Sequence, residues 1–275
     1  MANKPSEARK PEAKKPEARK PEAKKPSSQK PRVAIFDFTG CEGCELSQLN
    51  FEDQLLDILA QVDIVEWREA MDDRAEEYDI AFVEGALSTP DCIKRIHDIR
   101  RRSKVLVALG ACAVDGGVNA IKNLHPIEEV RETVYGKDQY LFPTLPALPL
   151  SAVVKVDHNV RGCPMTQIEF LKLFTALVMG KKPIEPDQAV CVECKLNENE
   201  CVYAKGMICL GPVTRAGCNS QCTNFGQYCI GCRGLVSEPN LQGMAETLAA
   251  HGLSMDEAWK RLQLYNAYRL QGVRA

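Results

Sequence analysis

The stretch Val33-Ala34-Ile35-Phe36-Asp37-Phe38-Thr39-Gly40-Cys41-Glu42-Gly43-Cys44 decides the fold. Its first six residues are mostly apolar and read as a buried strand. A loop with a C-x-x-C pair follows directly. Beyond it, residues 45–60 carry Leu46, Leu49, Leu55, Leu56 and Leu59, mostly at helical spacing. A strand that runs through a chemistry-bearing loop into a helix is the opening of an α/β unit.

Working outward, the pattern repeats. Val62 to Trp67 reads as a second strand. Ile80-Ala81-Phe82-Val83 reads as a third, ending at Glu84-Gly85. Thr89 to Arg102 reads as a helix, with Ser88 or Thr89 as N-cap and Pro90 at its first position. Val105 to Leu109 is a fourth strand running into Gly110-Ala111-Cys112. After an irregular, proline-rich stretch, Ala152 to Val156 is expected as the fifth, leading to Arg161-Gly162-Cys163-Pro164 and a helix to about Met179. Strands alternating with helices imply right-handed crossovers and a parallel sheet. Five such strands suit a flavodoxin-like, doubly wound α/β domain over residues 32–182. Sites in such sheets lie beyond the carboxyl ends of the strands. Cys41, Cys44, Cys112 and Cys163 all follow strands, so the topology is expected to gather them at one edge.

Residues 183–240 differ in character: eight cysteines, many Gly and Pro, and little periodicity. Here metal is expected to take the place of a hydrophobic core. Residues 241–275 return to helix. One helix is expected to end near Gly252. Another starts at the capping box Ser254-Met255-Asp256-Glu257, runs to about Leu270, and packs on the body or on a partner. At the other end, within a tail of residues 1–31, residues 4–26 repeat a five-residue Lys-Pro-Glu-Ala-Lys/Arg unit. Proline at every fifth position blocks a continuous helix, so a solvated, disordered tail is expected. Residues 1–30 carry a net charge of +6, which leaves −8 for the remainder of a chain whose total is −2. An acidic body argues against nucleic-acid binding. No apolar run approaches the roughly 18–20 residues that cross a membrane.

The chain has 13 cysteines, an odd count, and no apolar leader or twin-arginine signal. A reducing cytoplasm is therefore the expected setting, where clustered cysteines point to metal or redox chemistry rather than disulfides. Thiolates suit zinc or iron–sulfur clusters. A C-x-x-C turn offers two sulfurs with backbone N–H groups curved toward them, and Gly43 permits a close wrap because it has no Cβ. Cys41, Cys44, Cys112 and Cys163 are dispersed, unlike the two local pairs of a zinc ribbon. The second region reads Cys191-x2-Cys194-x6-Cys201-x7-Cys209 and then Cys218-x3-Cys222-x6-Cys229-x2-Cys232. That is two sets of four, open on spacing alone to two clusters or two zinc sites. Cys92 is left over, as a structural thiol within the predicted helix Thr89 to Arg102.

Several motifs together resemble the small-subunit family of [NiFe] hydrogenases. They are Thr39-Gly40-Cys41-Glu42-Gly43-Cys44, Val83-Glu84-Gly85, Gly110-Ala111-Cys112-Ala113 with Gly116-Gly117, and Arg161-Gly162-Cys163-Pro164. The stretches Cys209 to Cys218 and Cys229-Ile230-Gly231-Cys232-Arg233-Gly234 resemble the sulfhydrogenase delta subunits and their F420-non-reducing relatives within it. The resemblance spans residues 32–240. It implies an electron-transfer subunit with three [4Fe-4S] clusters. Cys41, Cys44, Cys112 and Cys163 would hold the proximal one, Cys218, Cys222, Cys229 and Cys232 the medial one, and Cys191, Cys194, Cys201 and Cys209 the distal one. The periplasmic branch has His where Cys191 stands and Pro where Cys222 stands, so all-cysteine ligation here implies three cubanes.

The resemblance also implies a large subunit carrying the nickel–iron centre and a further iron–sulfur or flavin subunit, so no catalytic residue is assigned in this chain. Glu84 is placed either near the proximal site or as a surface carboxylate. Glu42 and Glu45 are expected as solvated or helix-N-terminal charges. Arg161 is expected to donate to a sulfur or backbone, or to pair with a carboxylate. His97, His125, His158 and His251 are scattered and assigned no role. A flavin is not expected, because Cys41 and Cys44 occupy the loop where its phosphate would sit. Two other readings compete: an electron-transfer subunit of a different redox complex, and a zinc-stabilised interaction module.

Overall fold

The computed structural model describes residues 30–271. The repeat expected as a tail lies, up to residue 29, outside the described residues, as do residues 272–275. Five strands, β1 (Arg32–Phe36), β2 (Asp63–Trp67), β3 (Tyr78–Glu84), β4 (Ser103–Leu109) and β5 (His158–Val160), form one sheet in the order β2-β1-β3-β4-β5. Every pairing is parallel. This is the flavodoxin-like order, whose direction reverses between β1 and β3.

Alternation along the strands sorts their side chains onto two cores. Ala34 and Phe36 of β1, Ala81 and Val83 of β3, and Leu106 and Ala108 of β4 meet Ile96 and Ile99 of α3 (Pro90–Arg102). Val33, Ile35, Phe82, Val107 and Leu109 face the opposite way, against Phe51 and against Phe170, Leu173 and Phe174 of α6 (Gln167–Val178). The sequence reading of α3 holds in detail. Thr89 caps it by accepting from the Cys92 N–H, Pro90 opens it, and Arg100, Arg101 and Arg102 fill its last turn.

Three expectations need correction. The single helix over 45–60 is two, α1 (Gly43–Leu49) and α2 (Asp53–Gln61). The chain breaks where Phe51 turns inward onto Phe170 and Glu52 takes a positive φ of 50°. The fifth strand is not Ala152–Val156. Residues 150–152 make a 3-10 turn that drops Leu150 and Val154 into the core beside α3, and the strand comes later, at His158–Val160, paired with Val107–Leu109. The irregular stretch before it contains α4 (Gly110–Asp115), a 3-10 segment Gly117–Leu124, and α5 (Ile127–Tyr135).

Beyond residue 183 lie α7 (Val190–Leu196), α8 (Gln221–Asn224), α9 (Leu241–Ala250) and α10 (Met255–Asn266). Ser254 caps α10 as the capping box predicts, accepting from the Glu257 N–H. Contrary to expectation, the cysteine-rich stretch has an apolar core. Val190, Val202, Ile208, Leu210, Val213 and Leu235 pack against Met244 and Leu248 of α9 and Ala258 and Leu262 of α10. Short-range periodicity could not reveal it, because the apolar residues are delivered by turns. Among the described residues no helix is long and apolar enough to cross a membrane.

Two arginines clasp this region to the sheet. Arg233, 1% exposed, donates to Glu169 Oε1 on α6 (2.8 Å), to the Arg161 carbonyl (2.8 Å) and to the Ala216 carbonyl (2.9 Å). Arg161 in turn pairs with buried Asp115 (2.9 Å) and reaches the Arg233 carbonyl (3.5 Å). Burial works against the charge on Arg233, but the hydrogen bond and charge of Glu169 outweigh it and hold the proton more firmly than usual. Removing one partner of such a buried pair strands the other, so Arg233→Ala is expected to lower the unfolding free energy by about 3–5 kcal/mol. Denaturant unfolding checks this, and a loss below ~1 kcal/mol would mean that the clasp contributes no more than a surface pair.

Candidate metal centres

The sheet brings its strand exits together at one edge. The Ala111 N–H after β4 donates to the Gly162 carbonyl after β5 (2.7 Å). The Phe38 N–H after β1 donates to the Glu84 carbonyl at the end of β3 (2.9 Å). Cys41, Cys44, Cys112 and Cys163 are thereby neighbours: Cys44 feels the charges of Cys112 and Cys163, and both Cys112 and Cys163 feel that of Cys41. Cys44 is buried and Cys41 exposed, so the set opens to the surface on one side. Gly110 runs at a φ of +77°, and a Cβ there would collide with Cys44 Sγ. At Gly43 a Cβ would stand 3.3 Å from Cys41 Sγ, the close wrap expected of that loop.

N–H groups point at these sulfurs. The Met165 N–H donates to Cys44 Sγ (3.4 Å), and the Asn119 amide donates to Cys112 Sγ (3.3 Å). From α10, Tyr265 lies close to Cys163. Neither Asn119 nor Tyr265 is legible from local sequence. Asn119 sits just beyond Gly116-Gly117, and Tyr265 follows Cys163 by about a hundred residues.

The other eight cysteines form two further sets. Cys218, Cys222, Cys229 and Cys232 line one small cavity, shared with Val190, Thr214 and Arg233. Cys191 and Cys194, on α7, lie with Cys201 and Cys209; Cys191 feels the charges of all three. The three sets adjoin in series. Arg161, two residues before Cys163, and Arg233, next to Cys232, donate to each other's carbonyls, and the Cys229 N–H donates to Cys209 Sγ (3.2 Å). Glu193, between Cys191 and Cys194, accepts from the N–H groups of Gly217 (2.8 Å) and Ser220 (3.0 Å), which locks the last two sets together.

Burial raises the thiols. Cys112 is pushed up to about 12 by burial and then by Cys163 and Cys41; Cys191 likewise to about 12; Cys232 to about 11. Thiols this weakly acidic keep their protons at neutral pH until a cation replaces them, so iron uptake releases protons and occupancy falls as pH falls. Among the described residues no three His, Cys, Asp or Glu side chains are arranged around a single metal ion. Sets of four thiols with N–H donors aimed at Cys44, Cys112 and Cys209 suit iron–sulfur clusters.

Of the two places expected for Glu45, solvent or a helix N-terminus, the structure gives the second: it stands in the first turn of α1, yet is 1% exposed and accepts from Trp67 Nε1 (2.9 Å). Burial raises its pKa to about 7. Glu84 is buried, accepting from the N–H groups of Glu45 (2.8 Å) and Cys44 (3.3 Å), which anchors the first cysteine loop. Arg161 pairs with a carboxylate, and Cys92 accepts from the Thr89 hydroxyl (3.1 Å), apart from all three sets.

Residues 41–177 match the family model described as NADH ubiquinone oxidoreductase, 20 Kd subunit. The chain is 39% identical over 219 residues to the sulfhydrogenase 2 subunit delta of Pyrococcus furiosus, spanning 79% of this chain and 92% of that one. The chain belongs to the small-subunit family of [NiFe] hydrogenases. It is also 33% identical to a subunit of the F420-non-reducing hydrogenase vhu of Methanococcus voltae, over 87% of this chain and 95% of that one. A chain of a solved NAD+-reducing [NiFe]-hydrogenase superposes with a TM-score of 0.52 at 29% identity, covering 57% of this chain and 96% of that one. This protein is therefore part of a hydrogenase, and its family is one of iron–sulfur electron-transfer subunits. In this small subunit of a hydrogenase, the substitution Gly110→Ala is expected to displace Cys44 Sγ and lower iron by about four atoms per chain. Iron assay of the purified protein checks it; unchanged iron would mean that Cys44 is no ligand.

Proposed function

We infer that this small subunit is an electron relay with three [4Fe-4S] clusters. The proximal cluster is held by Cys41, Cys44, Cys112 and Cys163, the medial by Cys218, Cys222, Cys229 and Cys232, and the distal by Cys191, Cys194, Cys201 and Cys209. The observation that carries this reading is the series of three four-cysteine sets, the turn of Cys163 joined to that of Cys232 through Arg161 and Arg233, and Cys229 joined to Cys209 through its N–H. The clusters supply one-electron carriers that change charge with little ligand movement.

The chain's own residues hold the thiols, aim N–H donors at them, and exclude water from Cys44, Cys209 and Cys229. The two ends of the series are open. Cys41 is exposed beside the segment that presents Val118, Ile121 and Leu124 to the surface, a face suited to the large subunit that bears the nickel–iron site. Cys201 is exposed at the far end, where Leu196 and Phe225 are each 78% exposed, a face suited to a further iron–sulfur or flavin subunit. Electrons from H2 pass from the first face to the second, or the reverse when H2 is evolved. None of the 13 cysteines pairs in a disulfide, which suits a reducing cytoplasm.

Anaerobically purified protein is expected to hold about twelve iron and twelve sulfide per chain and no zinc; two zinc with about four iron would reduce the relay to its first step. In the assembled enzyme, Cys112→Ala is expected to cut H2-driven acceptor reduction at least ~10-fold while the other two clusters persist. An unchanged rate would remove Cys112 from the proximal site.

A further inference from the structure

After Cys112 the chain turns back on itself. Gly116 and Gly117 both run at positive φ, 81° and 51°, and a Cβ on Gly117 would stand 2.8 Å from Cys112 Sγ. The turn leads into the 3-10 segment Gly117–Leu124 and brings Asn119 over the cysteine that the chain has just passed. The Asn119 side-chain nitrogen donates twice, to Cys112 Sγ (3.3 Å) and to the carbonyl of Thr39 (3.0 Å), two residues before Cys41. A carbonyl oxygen can only accept, so the end of the amide that meets Thr39 is the NH2 group, and its other N–H is left for the sulfur. One side chain thereby joins two strand exits, that of β1 and that of β4. The segment carrying it is pinned. Ala120 is fully buried with Ala86, Ala147 and Ala267, and the Asn123 side chain exchanges two hydrogen bonds with the backbone of Ala147, both 2.8 Å.

We propose that Asn119 is a potential-setting residue of the proximal site: its N–H···S bond to Cys112 makes the cluster there easier to reduce. The inference rests on the cluster reading above. A ligating cysteine sulfur has no proton and can only accept. A carboxamide does not titrate near neutral pH, so its N–H remains a donor. Reduction places one more negative charge on the iron–sulfur unit, so a fixed donor at a ligand sulfur favours the reduced form and raises the potential. The Met165 N–H at Cys44 Sγ acts in the same direction, but it belongs to the backbone, and every residue except proline would supply it. Asn119 acts from a side chain, so the energy level of the first carrier depends on a residue that can be exchanged without touching a ligand. Its loss also leaves the first cysteine loop held. The Thr39 carbonyl accepts from the Ala86 N–H as well (2.8 Å), and the Thr39 N–H donates to the Ala86 carbonyl (3.1 Å).

The test is Asn119→Leu in the assembled hydrogenase, which keeps the branched shape and deletes both N–H groups. Iron per chain and an EPR-monitored redox titration of all clusters are the readouts. Iron is expected to match the parent, the proximal midpoint potential to shift negative, and the other two to stay unchanged. Unchanged potentials with full iron would overturn the proposal, as would a positive shift or one confined to the medial or distal cluster. Should Asn119→Leu lose proximal iron, Asn119→Ala, which adds no bulk, decides. Full iron with a negative proximal shift in that variant upholds the proposal; any other result in it, loss of iron included, makes the amide a structural contact and overturns it. If the parent enzyme itself lacks a cluster at the proximal cysteines, the cluster reading fails first and the proposal falls with it, and that outcome is visible before any variant is made.

Discussion

The reciprocal clasp of Arg161 and Arg233 is the constraint on which the rest of the structure depends. Each arginine belongs to a cysteine turn, Arg161-Gly162-Cys163 on the sheet side and Cys232-Arg233 on the other, and each donates to the other's carbonyl. Glu169 and Asp115 neutralise the two charges from the sheet domain. A loose hinge here would let the distance between Cys163 and Cys232 vary. Electron tunnelling falls steeply with distance, so a relay needs its carriers at fixed separations. Buried ion pairs are poor sources of net stability but are costly to break singly, and here they specify one arrangement of two regions.

The sheet solves a different problem. Four sulfurs must approach a common volume from different directions, while short-range sequence can supply only two from one turn. Parallel strands deliver their exits side by side at spacings of about 5 Å. The hydrogen bonds between those exits, Phe38 with Glu84 and Ala111 with Gly162, carry the register of the sheet into the loops. Glu84 completes the arrangement by accepting the N–H groups of Cys44 and Glu45. Its burial, and that of Glu45, leaves the first cysteine loop with unusually few degrees of freedom for a surface turn.

Much of this is legible in the sequence where the signal is local. The buried strands, the Thr89 cap of α3, the Ser254 cap of α10 and the grouping of cysteines at strand ends all follow from periodicity, capping chemistry and the carboxyl-edge rule. The fifth strand escapes that reading because Ala152 to Val156 is as apolar as a strand. Its side chains fill the core from a turn, while the paired residues, His158–Val160, look polar. Glu45 escapes it because its burial depends on Trp67, from another strand, presenting an indole N–H to it.

By itself, the sequence determined the first four strands and the capped helices, the count and spacing of the thiols, and membership of the family through motifs such as Thr39-Gly40-Cys41-Glu42-Gly43-Cys44. Such properties depend on chain neighbours within a few residues. Tertiary structure alone decided which sets of cysteines adjoin, that Arg161 and Arg233 hold each other's turns, and that Tyr265 lies beside Cys163. Those contacts join residues separated by tens of positions. They exist only once the sheet has closed and α9 and α10 have buried the apolar core of the cysteine-rich region.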